Sequence, residues 1–488
     1  MSTDVGTSST SPLASFQVLA RPDRRVLAMV LLGGVVFDWM AQTGVDGLAG
    51  ALFFVVLPLL LFFSKRLESR TSRAALCLVP LFGVWLGVRT SSALLLPDVL
   101  CALLLMGAAV MWSRGGSVFR TSMLDVASRG FTLGVHTLFV PQFLLLGMSS
   151  RSRRLLTTLP VIRGVFLAAP LIIVLGLLLM SADSVFASIF SISVDFGALP
   201  THLFLVVIGS WLVATLLRAA SCSFVETHRP RAFVGFTEAF VVVASMTALY
   251  AAFVVTQIVV WSGGARHVLE TSSLTYAEHA RQGFFQLVVV GAITLAVLTG
   301  LRGVVTQTSG RQLRAWRVIS LSTVLLTLVI VGVAVQRLFL YEDVYGLTLL
   351  RFYATAFAFW IGAVFMLYAV SSFRHPAESR WFFGVVMVFA LASVLVMNVV
   401  NPEAVVVHRN VDRIGSVSVP LDARYLGNLS DDGLMAMIPV FDQLEVAQQE
   451  LFLAALCTKP YGDSGHSGLS YNRARAGVAG FRMAHCSQ

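Results

Sequence analysis

Residues Gln336–Arg351 read QRLFLYEDVYGLTLLR. The stretch falls where two apolar runs meet, 318–336 and 349–370, and it packs Arg337, Glu342, Asp343 and Arg351 into sixteen residues with Tyr341, Tyr345 and Thr348 between them. Charges held this close to hydrocarbon pair with one another or do work, because an isolated ion there is costly. The reading therefore turns on whether the flanking runs cross a membrane.

Composition answers that. The chain has 488 residues, of which 57% are hydrophobic and only 12% charged, with a mean hydropathy of +0.82. Soluble domains carry about 25% charged residues, so the sequence predicts an all-α polytopic membrane protein. Apolar runs lie near 26–40, 46–63, 74–88, 93–112, 131–148, 163–180, 201–219, 234–261, 283–301, 318–336, 349–370 and 381–400. A spanning helix needs roughly 17–25 residues, so the first and third are short, while 234–261 is long for one span and too short for two. Residues 1–25 read as a disordered cytoplasmic N-terminus, with Arg21, Arg24 and Arg25 ahead of an uncleaved first span.

The net charge of +10 does not point to nucleic acid, because the basic residues cluster in short loops between the runs. Their distribution decides whether 131–148 crosses. If it does not, one side holds 23 of the 35 Lys and Arg and the other holds 5, with 7 more after residue 400; if it does, the loops divide 14 to 14. The asymmetric arrangement satisfies the positive-inside rule. His136, Thr137, Pro141 and Gln142 also suit an interfacial or re-entrant segment. The expected organisation is about eleven transmembrane helices. The first four occupy 26–112, a cytoplasmic loop with the interfacial segment occupies 113–162, and seven more helices form the core at 163–400. A polar extracytoplasmic tail at 401–488 follows, too poor in apolar residues to read as an independent domain and expected to pack on the outer face.

On that topology four polar motifs share the outer side. They are Ser181–Phe186 (SADSVF) with Asp183; Tyr276–Phe284 (YAEHARQGF) with Tyr276, Glu278 and Arg281; the opening stretch; and Asn401-Pro402-Glu403 followed by His408-Arg409-Asn410. Asp38 and Asp98 are further acids near outer span ends, readable as part of a proton or cation path or as interfacial acids. The candidate ligand-binding residues are Asp183, Tyr276, Glu278, Arg281, Arg337, Tyr341, Glu342, Tyr345, Thr348, Arg351, Asn401, Arg409 and Asn410. Gly346 permits a tight turn, Thr348 sits where a helix cap belongs, and Arg351 lies one turn into the next span. There it holds a carboxylate or phosphate bidentately, or pairs with Glu342. Each group also has a plainer reading as a helix-end anchor or interhelical pair worth about 1 kcal/mol or less.

These motifs carry a resemblance. SAD-x-x-F at 181–186, TYAEHARQGF at 275–284, LYEDVYGLTLLRFY at 340–353, and NPEAVVVHRN through LDARYL at 401–426 resemble, in order, a family of uncharacterised bacterial multi-pass membrane proteins grouped as a domain of unknown function. The resemblance implies a bacterial cell (inner) membrane location and supplies no activity.

Several chemistries are not signalled. No phosphate-cradling Gly-rich loop, nucleophile elbow or His-Glu-x-x-His motif occurs, no second His or Cys stands at ligand spacing from His279, and neither metal nor cofactor is expected. Cys457 and Cys486 both fall in the tail, where a disulfide is allowed but not dictated. The expected partners are the lipid bilayer and an anionic or lipid-headgroup ligand. The sequence does not decide between a binder or transporter, a membrane enzyme on a lipid-linked substrate using Glu278 or Asp183, and an envelope sensor or assembly protein, nor does it give the oligomeric state. Orientation is directly testable by an impermeant thiol reagent on intact cells. A cysteine placed at Asp343 is expected to label from outside and one at Gln312 only after the membrane is opened; the reverse pattern would invert the topology.

Overall fold

The computed structural model describes residues 22–64, 66–121, 123–141, 143–144, 198–221, 235–259, 284–304, 309–373, 381–414, 421–459 and 468–486, with single helical positions at 168, 172, 175 and 179. Among the described residues every regular element is helical. Eleven long helices come first: α1 Arg24–Thr43, α2 Leu48–Phe63, α3 Arg70–Leu86, α4 Ser92–Met111, α5 Met123–Leu138, α6 Ala198–Ala219, α7 Phe236–Val259, α8 Phe284–Val304, α9 Gly310–Tyr345, α10 Leu349–Ser372 and α11 Trp381–Val400. Five shorter ones follow: α12 Pro402–Val411, α13 Ala423–Gly427, α14 Asp431–Met437, α15 Val446–Cys457 and α16 Arg473–Cys486.

Eight helices among the described residues are long and apolar enough to cross a membrane: α1, α4 and α6–α11. Helices α2 and α3, with 16 and 17 residues, lie in the same bundle but fall short by length. The expected run at 163–180 lies almost wholly outside the described residues. Leu/Val/Phe/Ala runs make these segments helical because only internally satisfied backbone is tolerated in hydrocarbon, and polar caps end them. Asp23 accepts from Val26 N (3.0 Å), Ser69 accepts from Ser72 N (3.0 Å), and Ser309 with Gln312 forms a capping box at the start of α9. Large apolar side chains such as Leu96, Leu203, Leu249, Leu325 and Val399 face outward, as on a surface solvated by lipid.

The bundle has two packed halves. In the first, α1–α4 and α6 enclose Phe53, Leu57, Leu61, Val79, Phe82, Leu105, Val213 and Leu217. Small residues set the approach of α1 to α6: Gly33 faces Val213, Gly34 faces Ser210, and Gly209 faces Phe37. In the second half α7–α10 enclose Val243, Val288, Val331, Ile361, Phe365 and Tyr368. There the hydroxyls of Thr247 and Thr323 meet at 2.7 Å, as do those of Tyr250 and Thr294.

The two ends of the bundle differ. At one end the residues following α1, α3, α9 and α11 all touch the C-terminal segment, as described below. At the other, Glu68 N and Ser69 N donate to Ser113 O, Arg114 donates to Ser221 O at 2.6 Å, and Arg302 donates to Ser371 O at 2.8 Å. Segment α5 stays at this second end. Arg129 donates to Met111 O (3.0 Å), and the Phe143 ring lies 5.9 Å beneath the Arg66 guanidinium.

The C-terminal segment, expected to pack on one face of the bundle, is a set of short helices seated on the bundle's end. Helices α12–α16 pack around Val406, Val407, Leu426, Leu434, Met437, Phe452, Leu456 and Val478, and Cys457 and Cys486 are joined by a disulfide with their Cα atoms 5.3 Å apart. The apolar supply looked thin because part of it is borrowed: Leu347, Leu349 and Phe352 from the α9–α10 turn belong to the same core. The segment is therefore a cap built onto the end of the bundle.

The α1–α6 crossing yields a test. A Cβ at Gly34 would lie 2.5 Å from the backbone oxygen of Val206, which cannot move aside, whereas one at Gly332 on α9 meets nothing within 4 Å. Gly34→Ala is expected to destabilise the protein by about 1–3 kcal/mol, and Gly332→Ala to be neutral or to stabilise by up to about 1 kcal/mol, read as thermal unfolding in detergent.

Candidate functional site at the junction of bundle and cap

The opening stretch is mostly helix. Instead of breaking at the charges, α9 runs on to Tyr345 and ends at Gly346, whose φ of +79° is a conformation L side chains rarely adopt. A Cβ there would also strike the Asn410 amide oxygen, so glycine is required twice over. Thr348 occupies the N-cap position of α10, but its side chain makes no capping hydrogen bond. The capping expected of it is instead supplied from the cap: Leu349 N donates to the Tyr425 hydroxyl at 2.8 Å.

Asn410 on α12 clamps the turn from the other side. Its Oδ1 accepts from Leu347 N (3.1 Å), and its Nδ2 donates to Leu347 O and Val406 O, each at 2.7 Å. Arg413 donates to the carbonyls of Glu342 and Asp343, the last turn of α9. A cationic side chain on orphan carbonyls complements the helix dipole.

Around this clamp several candidates converge. Tyr341 and Tyr345 touch with ring centroids 4.7 Å apart and planes tilted by 57°, and the Arg351 guanidinium lies 4.1 Å over the Tyr341 ring while donating to Gly346 O. Arg351 is thus held by an aromatic face and a carbonyl. The carboxylate of Glu342 is 3.9 Å from Arg409 Nε, and Arg409, Arg413 and Arg351 all exert a favourable field on it, against that of Asp343. Arg409 is the exposed member of the set, with 69% of its side chain open to solvent. Further up α9, Arg337 donates to Gln257 of α7 at 3.4 Å. Asp183, Tyr276, Glu278 and Arg281 lie outside the described residues, as does His279.

Asn401 belongs to a second polar cluster at the same end. It takes a left-handed conformation (φ +52°), caps α12 through Ala404 N, and donates to Asp432 O at 3.3 Å. Asn401-Pro402 thus ends α11 and at once starts another helix. The centre of the cluster is the buried Asp432 carboxylate. Its Oδ2 accepts from Thr90 N and Ser91 N, both at 2.8 Å, and its Oδ1 meets Arg89 at 3.4 Å. Arg89 also donates to Asn398 O at 3.1 Å. Beside it, Glu403 Oε2 accepts from Ser430 N (2.8 Å), Ser430 Oγ (2.7 Å) and Gly433 N (3.1 Å). Asn472 donates to Asp46 O, Leu86 O and Arg89 O at 2.9–3.1 Å, tying α16 to the turns after α1 and α3. Arg475 pairs with Asp46, and Arg482 with Asp431 at 3.0 Å.

Sequence reasoning missed Arg89, Asn398, Asp432 and Asn472 as members of a site. Glu403 was quoted in its motif without a role. The only local signal was Ser430-Asp431-Asp432-Gly433, which reads as a helix start with acids in the first turn; a partner some 340 residues away leaves no trace in spacing. Lys459 is a related case. Its ammonium donates to Gly427 O (3.2 Å) and Leu429 O (2.7 Å), and burial, reinforced by Arg482, pushes its pKa below the usual lysine range. Among the described residues no His/Cys/Asp/Glu group has the makings of a metal site.

Bundle and cap together define the class: a multi-helix membrane protein with a folded polar cap on one end. Residues 75–440 match the family model described as Domain of unknown function (DUF4153), and the chain belongs to that family. No curated protein and no solved structure matches it. The matched span runs from within α3 through α14 and takes in the α9–α10 turn with Arg409, Asn410 and Arg413, and Arg89, Asn398, Glu403 and Asp432, but it leaves out Asp46, Asn472 and the disulfide-linked α15 and α16.

Removing Asp432 would strand the Arg89 charge and the two N–H groups at the start of α4. Breaking a buried pair in this way costs about 3–5 kcal/mol. Asp432→Ala is expected to lower the unfolding midpoint and to expose the cap to protease at concentrations that leave the wild type intact.

Proposed function

We propose that the protein binds an anionic group, the phosphate or carboxylate of a small polar solute or lipid headgroup, at the α9–α10 turn, as part of a binding or transport function in the bacterial inner membrane. The observation that carries this reading is the charge imbalance around Glu342. Among the described residues three guanidinium groups, those of Arg409, Arg413 and Arg351, act favourably on it, against the opposing field of Asp343. Arg351 is pre-oriented on Tyr341 and Arg409 is exposed, so one guanidinium is fixed and one is accessible. Guanidinium forks match carboxylate and phosphate oxygens in geometry. Their place at the end of a span is the level of lipid headgroups.

The topology behind this proposal has eleven spans, a cytoplasmic N-terminus and an extracytoplasmic cap. Supporting it, α6 begins at the cap's end of the bundle, since His202 near its start meets Asp38 late in α1 at 2.8 Å, whereas α4 ends at the opposite side. On the proposed topology the chain between these two helices changes sides. One crossing by 163–180 satisfies this if 131–148 stays at the interface, in keeping with Arg129 and Phe143 both being anchored at the second end. The disulfide suits the oxidising side of a bacterial inner membrane, and the basic loops fall on the other.

The test is binding of short-chain phosphatidylglycerol by the full-length protein in neutral detergent, with phosphatidylcholine of equal chain length as control. The wild type is expected to prefer the anionic lipid, and Arg409→Ala to weaken that binding about tenfold, near 1.4 kcal/mol, without lowering the unfolding midpoint. Equal affinity for both lipids, or an unchanged affinity in the variant, would sink the proposal.

A further inference from the structure

Two turns into α4, at the end of the bundle that carries the cap, Asp98 is wholly buried. Its neighbour is Asn398 on α11, also wholly buried, whose Nδ2 donates to Asp98 Oδ1 at 2.8 Å and to Val394 O at 3.1 Å. The remaining oxygens of the pair, Asp98 Oδ2 and Asn398 Oδ1, have no hydrogen-bond donor among the described residues. An ionised carboxylate is acceptor-only, and so is an amide oxygen. As written, the pair therefore sets two undonated acceptors together in a hydrocarbon-level interior, where each such atom costs free energy and an unpaired charge costs far more.

Among the described residues no neighbouring side chain supplies the missing donor. Arg89, in the α3–α4 turn, is the cation that acts on Asp98, but its Nε and Nη2 are directed to the Asn398 carbonyl and its Nη1 to Asp432. Cys101, one turn along α4, is the other titratable neighbour. The remaining titratable groups on helices packed against α4 are placed elsewhere. Helix α11 carries none. On α3, Arg70 and Arg73 stand at the opposite end and Cys77 is exposed. On α6, His202 meets Asp38 and Arg218 meets His136 of α5. Asp125 and Arg129 of α5 belong to the opposite end, near Met111.

We propose that Asp98 and Asn398 form a proton-binding site in which the acid is held neutral as a cyclic carboxylic acid–carboxamide pair. A proton on Asp98 Oδ2 turns that atom into the donor Asn398 Oδ1 lacks, while Asn398 Nδ2 continues to donate to Asp98 Oδ1. One proton satisfies both orphan atoms and removes the buried charge. The site is separate from the anion-binding cluster and does not depend on it. It is joined to the cap through the Asn398 backbone oxygen, which accepts from Arg89, itself paired with Asp432.

Two measurements on the full-length protein in detergent test this. Asparagine at position 98 reproduces the neutral pair, its own Nδ2 donating where the acid proton would. Asp98→Asn is therefore expected to unfold within about 2 °C of wild type near neutral pH, while Asp98→Ala unfolds well below it. The wild type is expected to lose stability as pH rises from the ordinary carboxylate range up to the point where the buried acid ionises, because over that window the folded state binds a proton that the unfolded state does not, and to level off above it; Asp98→Asn is expected to show no such loss. A loss in Asp98→Asn as large as in Asp98→Ala would mean that the charge itself is needed, and would overturn the proposal. The second measurement keeps the question open to test if the variants fold poorly. A hydrophobic carbodiimide reacts with a protonated carboxyl, whose O–H adds across an N=C bond before the acyl group migrates to nitrogen as a stable N-acylurea. Peptide mass spectrometry is expected to find Asp98 modified in the wild type, with modification falling about tenfold per unit on the alkaline side of the titration and indifferent to sodium. Absence of modification at acidic and neutral pH, or its suppression by sodium at constant pH, would assign the orphan oxygens to something other than a proton.

Discussion

One buried carboxylate holds the two parts of this protein in register. Asp432 has no exposed surface, and three donors compensate for the lost hydration of its carboxyl oxygens: two backbone N–H groups at the start of α4 and the Arg89 guanidinium. The positive end of the α4 dipole adds to them. These contacts are directional, whereas the hydrophobic contacts of the cap core are not. The shared apolar cluster brings the cap onto the bundle, and the Asp432 contacts select one orientation. Arg89 extends that constraint to the end of α11 through the Asn398 carbonyl, and Asn472 extends it to the turns after α1 and α3.

The same economy governs the α9–α10 turn. Most polar groups there are occupied in holding backbone: Asn410 and Tyr425 satisfy the turn, and Arg413 satisfies the end of α9. Their arrangement leaves Glu342 among three guanidinium groups with an exposed arginine at the edge. A docking joint and a cluster of charged side chains occupy one place because docking the cap is what gathers the charges. Deeper in the bundle, the Asp98–Asn398 pair sits behind the Asp432 joint and shares Asn398 with it.

Much of the architecture was legible in residue order. Long Leu/Val/Phe runs of spanning length read as helices where water is excluded, Gly346 marks a tight turn and Asn401-Pro402 the end of a span, and the Tyr341/Arg351 segment was recognisable as a place where charges gather. Helix ends were less legible. Tyr341, Glu342 and Tyr345 remain on α9 because Arg413 of the cap satisfies its last carbonyls, a contact no local pattern records. The shared core was hard to read for a similar reason, since Leu349 and Phe352, counted with a span, and Leu347, in the turn before it, pack with the cap.

The sequence by itself determined that this chain is built of apolar helices, which segments they occupy, and that its basic residues are segregated between them, because hydropathy and charge are properties of residues taken in order. Only the tertiary structure decided which polar residues meet. Arg89 with Asp432, Asp98 with Asn398, and Arg409 with Glu342 are contacts across tens to hundreds of residues. They exist because packed helices and a docked cap bring remote backbone into place, and no spacing rule acts over that range.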